Sequence, residues 1–366
     1  MSREAVSTSK FALEARDISV VLGGVKVLEV PSLQVLPNEV LVIIGPNGSG
    51  KTTLLLTLAG LLKLASGTIL YQGQAVRGKA GILQLHRRLA VVFQEPLLLN
   101  SSVWDNVTLG LRLRGVEKEE IKPRAEKWLE RFGIASLAGR QARTLSGGEA
   151  KRASLARAFA LQPDILFLDE AFNGLDSRTR EMMIEDFERV LRETKITTIM
   201  VTHDSNEALG LAHRILVLMD GRIRQIGSRE EVFSNAIDER VAEFVGVENI
   251  IGGVVASNQG GIVSVKADGS VIEAVANYAA GAEVSLLIRP EEITLAAARA
   301  SSSARNSFSG VINKVVSFGA LSRVEIDCGF PLVVLITKRS AEEMGLEKGK
   351  SIVASFKATG VHVIKR

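Results

Sequence analysis

Eight consecutive residues, Gly45 to Thr52, have the types and spacing of a phosphate-binding loop. They fit the pattern G-x-x-x-x-G-K-[ST], follow the apolar run Val40 to Ile44 and precede the helical run Thr53 to Leu62. Glycines let successive backbone N–H groups face phosphate oxygens, and the helix N-terminus adds its dipole. A glycine turn beside a surface lysine is the structural alternative. The predicted nucleotide-binding residues of this segment are Gly45, Pro46, Asn47, Gly48, Ser49, Gly50, Lys51, Thr52 and Thr53.

Within this loop, two side chains have distinct predicted tasks. Lys51 is expected to reach the β- and γ-phosphate oxygens, and the Thr52 hydroxyl to hold Mg²⁺. A carboxylate pair, Asp169 and Glu170, ends the apolar strand that begins at Ile165. Open α/β sheets place their ligands at this end of a strand, so Asp169 is a candidate Mg²⁺ ligand and Glu170 a candidate general base.

Further polar residues occur where apolar runs end or helices begin. Gln94 follows the run Leu89 to Phe93, and His203 follows a second apolar strand. Gly147 and Gly148 open a predicted helix, whose exposed N–H groups suit an anion. Taken one at a time, these are more often a loop glutamine, a structural histidine and a helix cap.

Taken together, these motifs resemble those of the ABC ATPase family. The segment Leu145-Ser146-Gly147-Gly148-Glu149 resembles the family signature, Gln94 its glutamine-loop residue, Asn173-Gly174-Leu175-Asp176 its aspartate loop and His203 its switch histidine. The resemblance covers residues 12–235 and implies an ATPase with ATP and Mg²⁺ as cofactors. The catalytic set it implies is Lys51, Gln94, Glu170 and His203. Thr52, Gln94 and Asp169 would hold the metal.

The resemblance also implies how two copies share nucleotide. In the family, the signature clamps the γ-phosphate bound to the opposite subunit, so one phosphate loop and one signature per chain imply a head-to-tail homodimer. The nucleotide-binding set accordingly extends to Ser146, Gly147, Gly148, Glu149 and Asp176.

This sequence departs from the family pattern at the predicted adenine site. Leu22 stands where an aromatic residue often stacks on adenine, so aliphatic packing would replace stacking at a cost on the order of 1 kcal/mol. Smaller departures are Ala171 for proline, Asn173 for serine and Glu149 for glutamine. None of these changes removes a catalytic group.

The elements that must position these residues indicate two domains. Up to about residue 235, apolar strands alternate with helical stretches, with a helical insertion at about 105–162. Residues 236–249 are predicted as a linker, and residues 250–366 as short strands, two of them joined by an Asp268-Gly269 turn. The predicted fold is an α/β P-loop ABC nucleotide-binding domain with a helical subdomain, followed by an all-β OB-like (TOBE/Mop-type) domain.

Composition narrows the class of protein. The chain has 366 residues, a net charge of +4 spread without a basic block, and one cysteine, Cys328, in an apolar segment. We therefore expect no nucleic-acid partner, a buried structural cysteine and a reducing compartment. The N-terminus lacks a signal-peptide pattern, and no apolar run reaches about 18 residues, so we expect a peripheral protein at the cytoplasmic face of the membrane.

The C-terminal part carries a second resemblance. Ile288-Arg289-Pro290-Glu291-Glu292 resembles the strand-turn motif of the transport-associated OB-type domain of ABC importers. The segments Ser303 to Asn306, Thr337 to Leu346 and Phe356 to Thr359 resemble the oxyanion-binding domains of molybdate and tungstate systems. A possible oxyanion site would use Ser303, Arg305, Asn306 and Lys357. These residues could equally serve as β-barrel scaffold and dimer contacts.

We therefore expect the homodimeric ATPase of a molybdate or tungstate importer. It would act with permease subunits and, indirectly, with an extracytoplasmic substrate-binding protein. Residues Glu95 to Trp104 are the candidate permease contact, with core packing as the alternative. Rival readings are the same motor for sulfate, a sugar, a polyamine or ferric iron, a soluble ABC ATPase of DNA repair or translation, and a non-enzymatic anion-binding module.

Overall fold

The computed structural model describes residues 10–299 and 301–366. Contacts divide the chain into two compact units, the first ending at Arg229 and the second running from Glu230 to Arg366. The predicted bounds 12–235 and 250–366 stay a prediction.

Strands and helices alternate in the first unit. Its strands are β1 (Leu13–Leu22), β2 (Val25–Val35), β3 (Val40–Ile44), β4 (Ser66–Tyr71), β5 (Gln74–Ala75), β6 (Leu89–Val92), β7 (Ile165–Asp169), β8 (Thr197–Val201), β9 (Arg214–Met219) and β10 (Arg222–Ser228). Its helices are α1 (Lys51–Leu58), α2 (Gly78–Arg88), α3 (Val103–Leu113), α4 (Lys118–Arg131), α5 (Gly147–Ala160), α6 (Ser177–Thr194) and α7 (Ser205–Leu211).

The central sheet of this unit has the strand order β10-β9-β3-β8-β7-β6. Its strands pair in parallel except for the antiparallel β9–β10 pair at one edge. Strands β3, β7 and β8 are buried along their whole length, as expected for parallel strands covered on both faces. Because parallel strands share a direction, the residues after β3, β6, β7 and β8 meet at one edge of the sheet.

A second sheet of the first unit, β2-β1-β4-β5, is antiparallel throughout. Helices α3, α4 and α5 lie between β6 and β7 in sequence, over the predicted insertion 105–162. Trp128, Phe132 and Phe159 pack their rings together there, with centroids 4.8–6.0 Å apart. Aromatic packing of this kind holds α5 against the C-terminal end of α4.

The second unit is rich in antiparallel strands. Its strands are β11 (Asn249–Gln259), β12 (Ile262–Ala267), β13 (Ser270–Val275), β14 (Glu283–Ile288), β15 (Thr294–Ala296), β16 (Asn306–Phe318), β17 (Leu321–Asp327), β18 (Pro331–Thr337), β19 (Ser351–Phe356) and β20 (Val361–Lys365). Short helices are α8 (Arg229–Ser234), which begins at the division, α9 (Glu239–Phe244) and α10 (Lys338–Glu343).

Two sheets, β13-β12-β11-β14-β20 and β15-β19-β16-β17-β18, share one hydrophobic core in this unit. The predicted turn between β12 and β13 has φ of 47° at Asp268 and 79° at Gly269, as a type I′ hairpin requires. Cys328 lies in the core, and its burial raises the pKa of its thiol to about 11. This is the structural cysteine that the sequence predicts.

Residues 236–249, predicted as a linker, include helix α9. Val241 and Ala242 are fully buried, and the Ser285 hydroxyl hydrogen-bonds to the carboxylate of Glu239. The segment is therefore a packed part of the second unit and not an extended connection.

Candidate nucleotide-binding site

The loop from Gly45 to Gly50 joins strand β3 to helix α1 at the carboxyl edge of the parallel sheet. A Cβ at Gly45 would lie 2.1 Å from the carbonyl oxygen of Leu218, so a larger residue does not fit. Gly50 has a φ of 97° and caps α1 without a side chain. This geometry leaves the N-terminal N–H groups of α1 available to an anion.

Lys51 is buried at the start of α1. Its Nζ donates to the carbonyl oxygens of Gly45 (2.9 Å) and Pro46 (3.0 Å). Burial lowers the pKa of the Lys51 amine, while the carboxylates of Glu170 and Asp169 act in the opposite direction. The loop thus holds a cation at the point where phosphate charge would be bound.

Ser49 offers an observation that fits a phosphate ligand. Its Oγ is buried and has no hydrogen-bond partner among the described residues. Buried hydroxyl groups in folded proteins are nearly always paired, so an unpaired one needs an explanation. A phosphate oxygen on the loop would satisfy it, which supports the predicted set of loop ligands.

Thr52 and Asp169 meet across α1 and β7. Thr52 Oγ1 donates to Asp169 Oδ1 over 3.0 Å, and burial raises the pKa of the Asp169 carboxyl. Within residues 10–299 and 301–366, no group of three or more His, Cys, Asp or Glu side chains is arranged to hold a metal. Mg²⁺ commonly takes one or two protein oxygens and completes its shell with water and phosphate oxygens, so a threonine–aspartate pair fits it.

Glu170, directly after β7, has an unusual backbone. Its φ is 46°, and its N–H donates to the carbonyl of Val201 at the end of β8 over 3.0 Å. A non-glycine residue in this region carries strain that the surrounding contacts must hold, and such residues cluster at active sites. The turn aims the Glu170 carboxylate toward His203, whose Nδ1 lies 3.4 Å from Oε1.

Gly221, which the sequence motifs did not indicate, connects strand β2 to the phosphate loop. Gly221 donates its N–H to the carbonyl of Ser49 (3.0 Å), and its own carbonyl accepts from Glu29 (2.8 Å). A Cβ at Gly221 would lie 2.3 Å from the carbonyl of Val27. The contact is between distant parts of the sequence, so no local pattern could have indicated it.

Comparison with known proteins places this geometry in a family. Residues 28–173 match the family model described as ABC transporter, and residues 302–363 match that of the TOBE domain. The chain is 36% identical over 334 residues to molybdate/tungstate import ATP-binding protein WtpC of Pyrococcus horikoshii, covering 91% of this chain and 94% of the relative. The chain belongs to the ABC transporter ATP-binding family. As an import ATP-binding subunit of this family, it is an ATPase coupled to transport.

A second relative and a solved structure are also similar to the chain. The chain is 34% identical over 348 residues to spermidine/putrescine import ATP-binding protein PotA of Ruegeria pomeroyi, covering 94% of this chain and 91% of the relative. The solved structure of cbiO1 from Clostridium perfringens, part of the ABC transporter complex cbiONQ, matches with a TM-score of 0.58 and 29% identity. That match covers 65% of this chain and 96% of the other. The predicted fold class is confirmed.

The ABC signature residues lie at the start of α5. Ser146 caps the helix in a capping box: Glu149 N donates to Ser146 Oγ (3.3 Å), and Ser146 N donates to Glu149 Oε2 (2.7 Å). The latter bond holds the pKa of the Glu149 carboxyl below its usual range. Gly147 has no neighbour within 4 Å of its Cβ position, so this helix start is open on one side.

Other predicted residues of the ABC site have different contacts from those of Lys51, Thr52 and Asp169. Asp176 caps α6 by accepting from the N–H of Thr179 over 3.0 Å. The Gln94 side chain is exposed, and in the described structure no hydrogen bond joins it to Thr52 or Asp169. One chain therefore brings together Lys51, Thr52, Asp169, Glu170 and His203. Among the described residues, no hydrogen bond or ion pair joins the side chains of the signature, Asp176 or Gln94 to them.

Leu22 ends strand β1 opposite Val25 in the β1–β2 hairpin. The two side chains are 45% and 64% exposed, so they form an apolar surface at the hairpin end. Strand β2 continues from there to Val27, which lies beside Gly50 of the phosphate loop and beside Gly221. The hairpin is thus connected to the loop, as an aliphatic adenine contact would require.

The predicted permease segment follows Gln94. Arg157 of α5 donates to the carbonyls of Pro96 (2.8 Å) and Leu97 (2.9 Å), while the side chains of Leu97 and Leu99 are more than half exposed. Next to them, a cavity of about 310 Å³ is lined by residues that include Leu99, Leu109 and Leu113. Two of the three leucines of this segment thus face outward, whereas Leu98 is half-buried and Val103 is fully buried, so the permease contact stays a prediction.

In the second unit, the four predicted oxyanion residues have different surroundings. Asn306 is buried and binds the backbone N–H and carbonyl of Glu273, both at 2.8 Å. Arg305 forms an ion pair of 3.1 Å with the Glu273 carboxylate, whereas Ser303 and Lys357 are exposed. An anion here would compete with Glu273 for Arg305, and the oxyanion site stays a prediction.

No helix in the part of the chain that the structure describes is both long and apolar enough to span a membrane.

Proposed function

We propose that this chain is the ATPase of a molybdate or tungstate importer, working as a homodimer bound to permease subunits on the cytoplasmic face of the membrane. The assembly of Lys51, Thr52, Asp169, Glu170 and His203 at one sheet edge carries the hydrolytic part of the proposal. The similarity to the molybdate/tungstate import protein over 91% of the chain supports the substrate.

Hydrolysis would follow from these positions. Lys51 and the α1 N-terminus would bind the phosphates, while Thr52 and Asp169 would hold Mg²⁺, which would neutralise charge on the β- and γ-phosphates. The Glu170 carboxylate would accept the proton of the attacking water, and His203 would lie beside the γ-phosphate. Gln94 would contact the metal or the attacking water.

We propose a dimer because one chain supplies two parts of a nucleotide site, the phosphate loop and the signature at the start of α5. The start of α5 at Gly147 is open on one side, and there it would bind the γ-phosphate held by a second copy. ATP binding would close the pair, and hydrolysis would reopen it. The exposed segment Glu95 to Trp104 would pass this motion to the permease, which receives substrate from an extracytoplasmic binding protein.

Uptake by the native cell tests the substrate. A chromosomal Glu170→Gln substitution is expected to abolish uptake of labelled molybdate and tungstate and to leave labelled spermidine uptake unchanged. Loss of spermidine uptake alone would overturn the oxyanion proposal and favour a polyamine importer, to whose ATP-binding proteins the chain is also similar. A Glu185→Gln substitution, on the exposed face of α6, is the matched control and should change neither.

A further inference from the structure

Lys151, in the second turn of α5, is a buried cation whose partners are backbone carbonyls. Its Nζ donates to the carbonyl oxygens of Ala171 (2.8 Å) and Gln94 (3.2 Å). A buried ammonium group is costly unless its hydrogen bonds are made, and burial lowers the pKa of this amine. Lysine at such a site therefore indicates a specific use of these two hydrogen bonds.

The two carbonyls belong to neighbouring strands of the parallel sheet. Strands β6 and β7 pair with Val92 opposite Leu168. Gln94 lies two residues beyond the end of β6, and Ala171 lies two residues beyond the end of β7. The Lys151 ammonium thus joins two chain segments just after they leave the sheet, where strand pairing no longer holds them.

Ala171 directly follows Glu170. The Glu170 N–H is fixed to the carbonyl of Val201, and its positive φ must be maintained by contacts on both sides. The hydrogen bond from Lys151 to Ala171 is one contact on the C-terminal side, and the bond from the Asn173 N–H to the Glu170 carbonyl is another. Because Ala171 is bonded to Glu170, the position of the Ala171 carbonyl constrains the backbone that carries the Glu170 carboxylate.

A second cation of α5 strengthens the connection to the segment after β6. Arg157 donates to the carbonyls of Pro96 and Leu97, so Lys151 and Arg157 together hold three of the four carbonyls from Gln94 to Leu97. Helix α5 and this segment must therefore move together. Of the two cations, Lys151 is the one that also contacts the segment after β7.

We propose that Lys151 is a positioning residue for ATP hydrolysis, because its ammonium group links the backbone of Gln94 to that of Ala171 and so sets the orientation of Glu170. Movement of the segment after β6 is transmitted to the general base through this one group. The inference rests on the proposed role of Glu170.

Substitutions at Lys151 in the full-length protein separate positioning from folding. Lys151→Met removes the donors and keeps an unbranched side chain. It is expected to lower kcat roughly 10-fold to 100-fold, with the Kd for ATP changed less than about twofold. Lys151→Arg and Lys151→Gln restore N–H donors, and at least one should recover most of the lost kcat. Lys122→Met, an exposed change on α4, is the control and should leave kcat unchanged.

A double substitution provides the decisive readout. Glu170→Gln removes the group that Lys151 positions, so adding Lys151→Met to it should lower the residual rate by less than about threefold. The inference would be overturned if Lys151→Met lowered kcat by the same factor in the wild-type and the Glu170→Gln proteins. It would also be overturned if neither Lys151→Arg nor Lys151→Gln recovered kcat. Wild-type turnover by Glu170→Gln alone would instead overturn the proposed general base, whatever Lys151 does.

Discussion

Asn173 donates a hydrogen bond from Nδ2 to Oε2 of Glu170 over 2.9 Å. The other carboxylate oxygen, Oε1, faces His203, so the two oxygens of the proposed general base have different neighbours. The N–H of Asn173 also donates to the Glu170 carbonyl (3.1 Å), which closes a short turn around the carboxylate. A residue that departs from the common family pattern thus contacts both the carboxylate and the backbone carbonyl of the proposed general base.

Asn173→Ala should therefore lower kcat about 10-fold, because the Glu170 carboxylate loses the bond that fixes its rotation. The Kd for ATP should stay within about twofold of wild type, since Asn173 makes no described bond to the phosphate loop. Steady-state ATPase assays and equilibrium ATP binding measure the two quantities. A matched change at exposed Glu185 should affect neither, and an Asn173→Ala enzyme with normal kcat would exclude this role.

The sequence predicted the parts of the site that depend on local patterns. The run Val40 to Ile44 and the glycines after it indicate a buried strand and a phosphate loop, because both depend on residues adjacent in the chain. Gly147 opens helix α5, as the sequence predicts.

The parts that depend on contacts between distant residues could not be predicted in this way. The bond between Gly221 and Ser49 joins residues more than 170 positions apart. The tasks of Lys151 and Asn173 depend on which carbonyl or carboxylate the fold brings near. Helix α9, which lies within the predicted linker 236–249, was not predicted because its six residues are too few to show a clear helical period.

Glu207 provides a pH-dependent test of stability. It is buried, accepts from the Thr202 hydroxyl over 2.6 Å, and burial raises the pKa of its carboxyl. Below the unfolded pKa of about 4.3, both folded and unfolded states hold the proton, so this group causes no loss of stability. As the pH rises, the unfolded state ionises first, and stability falls until the pH exceeds the raised folded pKa.

Glu207→Gln removes this ionisation and keeps an oxygen that can accept from Thr202. Its Tm should exceed that of wild type near pH 8, by about 2–4 °C for each kcal/mol gained in the free energy of unfolding. This difference in Tm should shrink as the pH falls toward 4.5. Differential scanning fluorimetry across that range measures it. Glu185→Gln should give a flat difference, and a Glu207→Gln difference that grows toward low pH would contradict the assignment.

Leu22 provides a test of the adenine site. Replacing the exposed leucine by tyrosine should add a stacking contact of about 1 kcal/mol, which lowers the Kd for ATP roughly fivefold. Since no described contact joins Leu22 to Glu170, kcat should stay unchanged. Fluorescent-nucleotide titration measures the affinity, and Val271→Tyr, on an exposed strand position of the second unit, is the control. An unchanged Kd would show that adenine does not contact this hairpin.

The proposed oxyanion site can be tested through the ion pair between Arg305 and Glu273. Because the carboxylate lies 3.1 Å from the guanidinium, it competes with any anion for Arg305. Calorimetric titration of the full-length protein should show molybdate and tungstate binding and no sulfate binding. Glu273→Gln should tighten that binding several-fold, since it removes the competing charge, whereas Arg305→Ala should weaken it by about tenfold. If neither substitution changes the titration, these residues are scaffold, and if no oxyanion binds at all, the C-terminal unit has no regulatory role through this ligand.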